Sequence, residues 1–163
     1  MIGDVHLHSA LMTNDPISDV ITALETFQAS DDDVDNQARL YAIFTDFRTL
    51  SGRDRAIPAM FSLLERFPDA DLGSPGPIVH ELEAISDAGG HDPYVPLLRD
   101  SVRRQPTRYT VWMINRILNT ELPAEQRESW LSELRAVPAH PLASESGRRA
   151  AEDFLAYQSG QPD

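Results

Sequence analysis

Residues 56–83 read AIPAMFSLLERFPDADLGSPGPIVHELE, and this stretch decides the fold. Ile57, Met60, Phe61 and Leu64 recur at i, i+3, i+4 and i+7, the spacing of one apolar stripe on a helix. Pro58 is compatible with that helix because first-turn N–H groups have no intrahelical partner. The segment then breaks. Residues that precede proline avoid the α region, so Ser74 and Gly76 are expected to be non-helical, with Gly76 as N-cap and Pro77 as the first residue of a new helix. His80, Glu83 and Asp87 follow at helical spacing on one polar face. The unit is a helix, an acidic Gly/Pro loop and a second helix.

The rest of the chain reads as further helices, whose pairs match in length but in no residues at fixed positions. Asp15-Pro16 opens a helix with Ile17, Val20, Ile21, Leu24 and Phe27 inward. Ser30 to Asp33 forms an acidic turn suited to the positive end of the next helix dipole. That helix carries Leu40, Ile43, Phe44 and Phe47 and is expected to end near Ser51-Gly52. After Pro77 the fourth helix is expected to run to about Ala88. A fifth begins at Asp92-Pro93 with Tyr94, Leu97, Leu98 and Val102. The sixth, Arg108 to Asn119, has Val111, Trp112, Met113, Ile114, Ile117 and Leu118 around most of its circumference, the pattern of a deeply buried helix. The seventh follows Leu122-Pro123 with Trp130, Leu131 and Leu134 inward. The eighth spans about Ser144 to Tyr157 with Ala150, Ala151, Phe154 and Leu155.

No segment alternates with period two, so the chain reads as all-α, a single domain over residues 1–163. Residues 1–15 and 158–163 read as loosely packed tails. Helix pairs starting near residues 16, 54, 92 and 123 approach the roughly 40-residue, two-helix period of HEAT-type repeats. Stacked antiparallel hairpins are the first expectation, a globular helical bundle the second.

Charge is the sharpest global property. The chain carries 26 acidic and 14 basic residues, net −12, and every basic residue is arginine. Such a field repels nucleic acid and anionic membranes and favours a cationic protein surface; it also serves simple solubility. With no cysteine there is no disulfide framework, thiolate metal site or cysteine nucleophile. No apolar run nears the roughly 20 residues needed to span a bilayer, and MIGDVHLHS lacks a secretory leader pattern. A cytoplasmic location is expected.

Candidate chemistry is sparse. Asp4-x-His6-x-His8 resembles the metal-binding opening of amidohydrolase-like and PHP phosphoesterase barrels. The remaining ligands and the βα alternation of those barrels are absent here. His80 and Glu83 stand at helical metal-ligand spacing, extended by Asp87, but one row without a second is a solvated face. Ser74 in GSPG is not a nucleophile elbow, which reads GxSxG between strand and helix. No phosphate loop or dinucleotide fingerprint is present. No catalytic residue, metal or cofactor is expected. Asn115, Arg116 and Asn119 sit on an otherwise apolar helix. Buried polar groups need partners, so this trio is expected to tie that helix to a neighbouring loop or helix end.

RFPDADLGSPGPIVHELE (residues 66–83) followed by LLRDSVRRQPTRYTVWMINRILN (residues 97–119) resembles small helical immunity proteins encoded beside bacterial polymorphic toxins. The residues that carry the resemblance are Gly73, Ser74, Pro75, Gly76, Pro77, His80 and Glu83, then Arg116 and Asn119. It covers the middle third to half of the chain. It implies an all-helical, non-enzymatic protein that binds and occludes a cognate toxin domain, and the net charge of −12 adds the expectation that this domain is basic. The expected contact surface is Asp31, Asp32, Asp33 and Asp35, Asp69 and Asp71, the face of His80, Glu83 and Asp87, and an aromatic anchor in Tyr109 or Trp112. A helical adaptor for a cellular protein is the alternative, and a hydrolase using His6 and His8 a further one.

Overall fold

The structure is a computed structural model that describes residues 15–85 and 90–160. Among these residues there are eight α-helices and no strand: α1 (Pro16–Thr26), α2 (Asp33–Ile43), α3 (Ile57–Arg66), α4 (Gly76–Glu83), α5 (Tyr94–Arg104), α6 (Arg108–Leu118), α7 (Ala124–Ala136) and α8 (Glu145–Ser159). His6, His8 and Asp87 lie outside the described residues.

The helices pair as consecutive hairpins and stack in two rows. α1 packs on α3, α3 on α5 and α5 on α7; in the second row α2 packs on α4 and α6 on α8. One apolar core runs through both rows. Its fully buried members include Leu24, Leu40, Phe47, Phe61, Leu64, Leu82, Leu98 and Ile114. Burying a Leu or Phe side chain contributes about 1.5–3 kcal/mol, so the stripes read in the sequence hold the stack together.

Several boundaries differ from the expectation. α2 stops at Ile43, not near Gly52. Asp46 adopts φ 61°, and two short 3₁₀ turns, Phe47–Thr49 and Arg53–Ala56, carry the chain to α3. The apolar spacing persists because Phe47 is still fully buried, but the backbone beneath it is no longer α-helical. α4 ends at Glu83, well short of Ala88. Neither tail begins where expected. Asp15 is the N-cap of α1: it accepts from the Ile17 N–H and pairs with Arg55. At the other end α8 continues to Ser159, and Gln158 is buried.

Alternating helix direction sorts the connections onto two edges. The turns that close the hairpins (27–32, 67–75, 105–107 and 137–144) share one edge. There the Asn36 Nδ2 donates to the Asp71 carbonyl at 3.3 Å, the Ser144 N–H to the Pro106 carbonyl at 3.1 Å and the Ser146 hydroxyl to Asp69 at 3.4 Å. The linking segments lie on the opposite edge, where the ends of α4 and α6 are tied by Arg116 and Glu83.

Candidate functional site

The hairpin-closing edge brings together the two acidic loops that the sequence separates. Asn36, fully buried, is the joint between them. Its side-chain oxygen accepts from the Ser30 N–H at 2.8 Å, and its Nδ2 donates to the Ser30 carbonyl at 2.8 Å and to the Asp71 carbonyl. Asp32 caps α2 by accepting from the Asp35 N–H. Asp31, Asp32, Asp33, Asp35, Asp69 and Asp71 are all exposed. In these two loops, among the described residues, Arg39 pairs with Asp35 and Arg108 approaches Asp71 at 4.0 Å, whereas Asp31, Asp32, Asp33 and Asp69 have no arginine partner.

Most of the other arginines hold partners elsewhere in the stack. Every arginine apart from Arg53 holds a carboxylate or a backbone carbonyl within the stack. Arg66 donates to the Leu24 and Phe27 carbonyls at the end of α1. Arg99 and Arg103 both pair with the largely buried Glu133. Burial opposes ionisation of Glu133, but the two guanidiniums outweigh it and hold the carboxyl below its ordinary range. Positive charge is therefore mostly paired within the stack, largely at its surface, and the unpaired surplus is negative.

GSPG is a backbone device. Gly73 has φ 102° and Gly76 φ 85°, a region closed to most side chains. A Cβ on Gly73 would stand 2.4 Å from the Gly76 Cα. The loop folds back on itself there, and α4 begins at Gly76 with Pro75 as its N-cap, one residue earlier than expected, although Gly76 itself keeps a positive φ. Ser74 is exposed, in a turn.

Tyr109 is buried, contrary to its expected role as an exposed anchor. Its hydroxyl donates to the Ala70 carbonyl and accepts from the Leu72 N–H at 2.9 Å and from Arg108 at 2.7 Å, pinning the acidic loop to the start of α6. Its apolar neighbours on α6 gave the signal that it faces inward. Trp112 is half-buried, with the Arg116 guanidinium 4.8 Å from its ring centre. It lines a cleft with Gly73, Pro75, Arg108, Ala150 and Phe154.

The polar trio on α6 divides. Asn115 and Asn119 both accept from Gln158 Nε2, at 2.9 and 2.8 Å. Arg127 completes this network by donating to Gln158 Oε1 at 2.7 Å and to the Leu118 carbonyl at 2.8 Å. The guanidinium that joins the two amides is thus Arg127 of α7, and the tie runs to α8. Arg116 points the other way, to Glu83 at 2.7 Å.

Glu83 accordingly sits at the linking edge, and His80 is exposed midway along α4. They do not join the acidic loops in one patch. About 10 Å of α4 separates Glu83 from the GSPG turn, at 1.5 Å per residue. Near Glu83, Tyr94 is buried. Burial first, then the charges of Glu83 and Asp92, push its hydroxyl up to about 12, with Arg116 opposing. Among the described residues no group of three His, Cys, Asp or Glu side chains could hold a metal ion, and no helix is long and apolar enough to cross a membrane.

No protein-family model, no curated protein and no solved structure matches the chain.

Proposed function

We propose that the protein binds a basic protein domain through its hairpin-closing edge, and that this partner is a bacterial toxin domain which it neutralises by stoichiometric occlusion. One observation carries the binding surface. The stack sets the Asp31–Asp35 and Asp69–Asp71 loops side by side through Asn36, and of their six aspartates Asp35 and Asp71 have an arginine beside them while Asp31, Asp32, Asp33 and Asp69 do not. An edge with an excess of negative charge steers a basic partner and sets its orientation before close contact. The toxin class rests on the resemblance of residues 66–83 and 97–119 to immunity proteins.

The test is affinity capture from the native host with two baits, the wild-type chain and the variant Asp31→Lys/Asp33→Lys/Asp69→Lys/Asp71→Lys. One basic partner retained by the first bait and lost from the second is expected. Expression of that partner alone should arrest growth, and co-expression of the wild-type chain should relieve the arrest. A partner that binds both baits equally removes the acidic edge from the account. A partner that is harmless when expressed alone replaces the toxin with an adaptor's client.

A further inference from the structure

An interface needs an apolar centre inside its charged rim, because rim charges set association rate and specificity more than affinity. The acidic edge has such a centre. Between the Gly73–Pro75 loop, α6 and α8 lies a cleft of about 140 Å³, lined by Trp112, Phe154, Ala150 and Pro75. Its volume matches a single benzene-sized group. Trp112, Ala150 and Phe154 are each only half-buried, so the cleft is open to solvent, and its walls are mostly apolar with Ser74 and Arg108 as the polar members.

Two features define the occupant. First, Asp71 and Asp69 stand in and beside the loop that forms one wall: the Asp71 carboxylate accepts from the Gly73 N–H at 2.9 Å, and Asp69 accepts from Ser146 at the start of α8. Second, the Arg108 guanidinium on the cleft wall is already engaged, its Nη2 donating to the Ala70 carbonyl and the Tyr109 hydroxyl and standing 4.0 Å from Asp71.

We infer that this cleft seats one leucine- to phenylalanine-sized side chain of the basic partner, held among cationic neighbours that meet Asp69 and Asp71. The inference rests on the acidic-edge reading and adds its apolar anchor.

The probes are two capped peptides, Arg-Arg-Phe-Arg-Arg and Arg-Arg-Gly-Arg-Arg, titrated at low salt into the ¹⁵N-labelled full chain. The phenylalanine peptide is expected to bind about tenfold more tightly, given the burial of one aromatic side chain. It should also shift the Gly73, Ala150 and Phe154 amides and the Trp112 indole selectively. In Ala150→Phe, which fills the cleft, the two peptides should bind alike; circular dichroism reports whether that variant folds. If it does not fold, the selective shifts in the wild-type chain still decide. Equal affinity of both peptides, with shifts only around Asp31–Asp35, Asp69 and Asp71, overturns the cleft and leaves the acidic edge standing. Binding of neither peptide, or shifts away from this edge, overturns both.

Discussion

The hydroxyl of Tyr109 donates to the carbonyl of Ala70 at 2.6 Å, across a sequence separation of 39 residues. This contact fixes the acidic loop to α6, and the same oxygen also accepts from the buried Leu72 N–H. In Tyr109→Phe the ring is kept and that N–H loses its partner. A drop of about 1–3 kcal/mol in unfolding free energy is expected, read as a lower urea midpoint at unchanged m-value. An unmoved midpoint would show that the loop is held by other contacts.

Gln158 is the junction of α6, α7 and α8. Gln158→Ala leaves Asn115 without its donor in a buried position and Arg127 without its side-chain acceptor. A loss of about 1–3 kcal/mol follows from the stranded groups. A double-mutant cycle with Arg127→Ala should give a coupling of at least about 0.5 kcal/mol, and strict additivity would break the network into independent contacts.

Gly73 has both a left-handed backbone and no room for a methyl group. Gly73→Ala is expected to cost roughly 2 kcal/mol or more from strain and overlap. Thermal unfolding checks this. Gly90, at φ 75° with open space around it, is the natural control for backbone strain alone.

Tyr94 supplies a pH signature. Its hydroxyl is raised from the ordinary 10.0 to about 12 in the folded chain, by burial first and then by Glu83 and Asp92. Between these values the unfolded chain has already lost the proton and the folded chain has not, so stability falls with rising pH. The contribution is complete below pH 10 and is lost as pH rises through about 12. Urea midpoints across that range should fall faster for the wild-type chain than for Tyr94→Phe. Parallel curves would place the alkaline sensitivity elsewhere.

Charge at the edge predicts a rate. Asp69→Lys/Asp71→Lys should slow association with the basic partner by about tenfold or more at low salt, with the difference shrinking as salt screens the field. Stopped-flow association at two salt concentrations measures it. A dissociation-only effect would make these carboxylates short-range contacts.

The helices were legible because their apolar spacing is local. Ile57, Met60, Phe61 and Leu64 declare the buried face of α3 without reference to any other segment. Boundaries were less so. The chain leaves α2 through Asp46 in a left-handed conformation, and an apolar Phe47 on the far side hides the break from any periodicity argument. The polar joints were the least visible. Asn36 reads as one more polar residue in DDDVDNQAR, and only its position four residues before Leu40 marks it as inward-facing. Gln158 lies in a polar C-terminal run, and its partners are 39 and 43 residues away. The acidic loops were read correctly as acidic, but that Asp31–Asp35 and Asp69–Asp71 share an edge while Glu83 does not depends on helix direction, which no single segment encodes.

Placing hairpin-closing turns on one edge and linking segments on the other gives the molecule a handle. A fluorophore or tether attached at Thr120 or Glu121, both exposed in the α6–α7 link, stands a helix length of about 15 Å from the acidic loops. Because the chain has no lysine, one lysine introduced there gives amine-reactive reagents a single side-chain target. The protein can thus be immobilised or labelled in a defined orientation, with the acidic edge left facing solution.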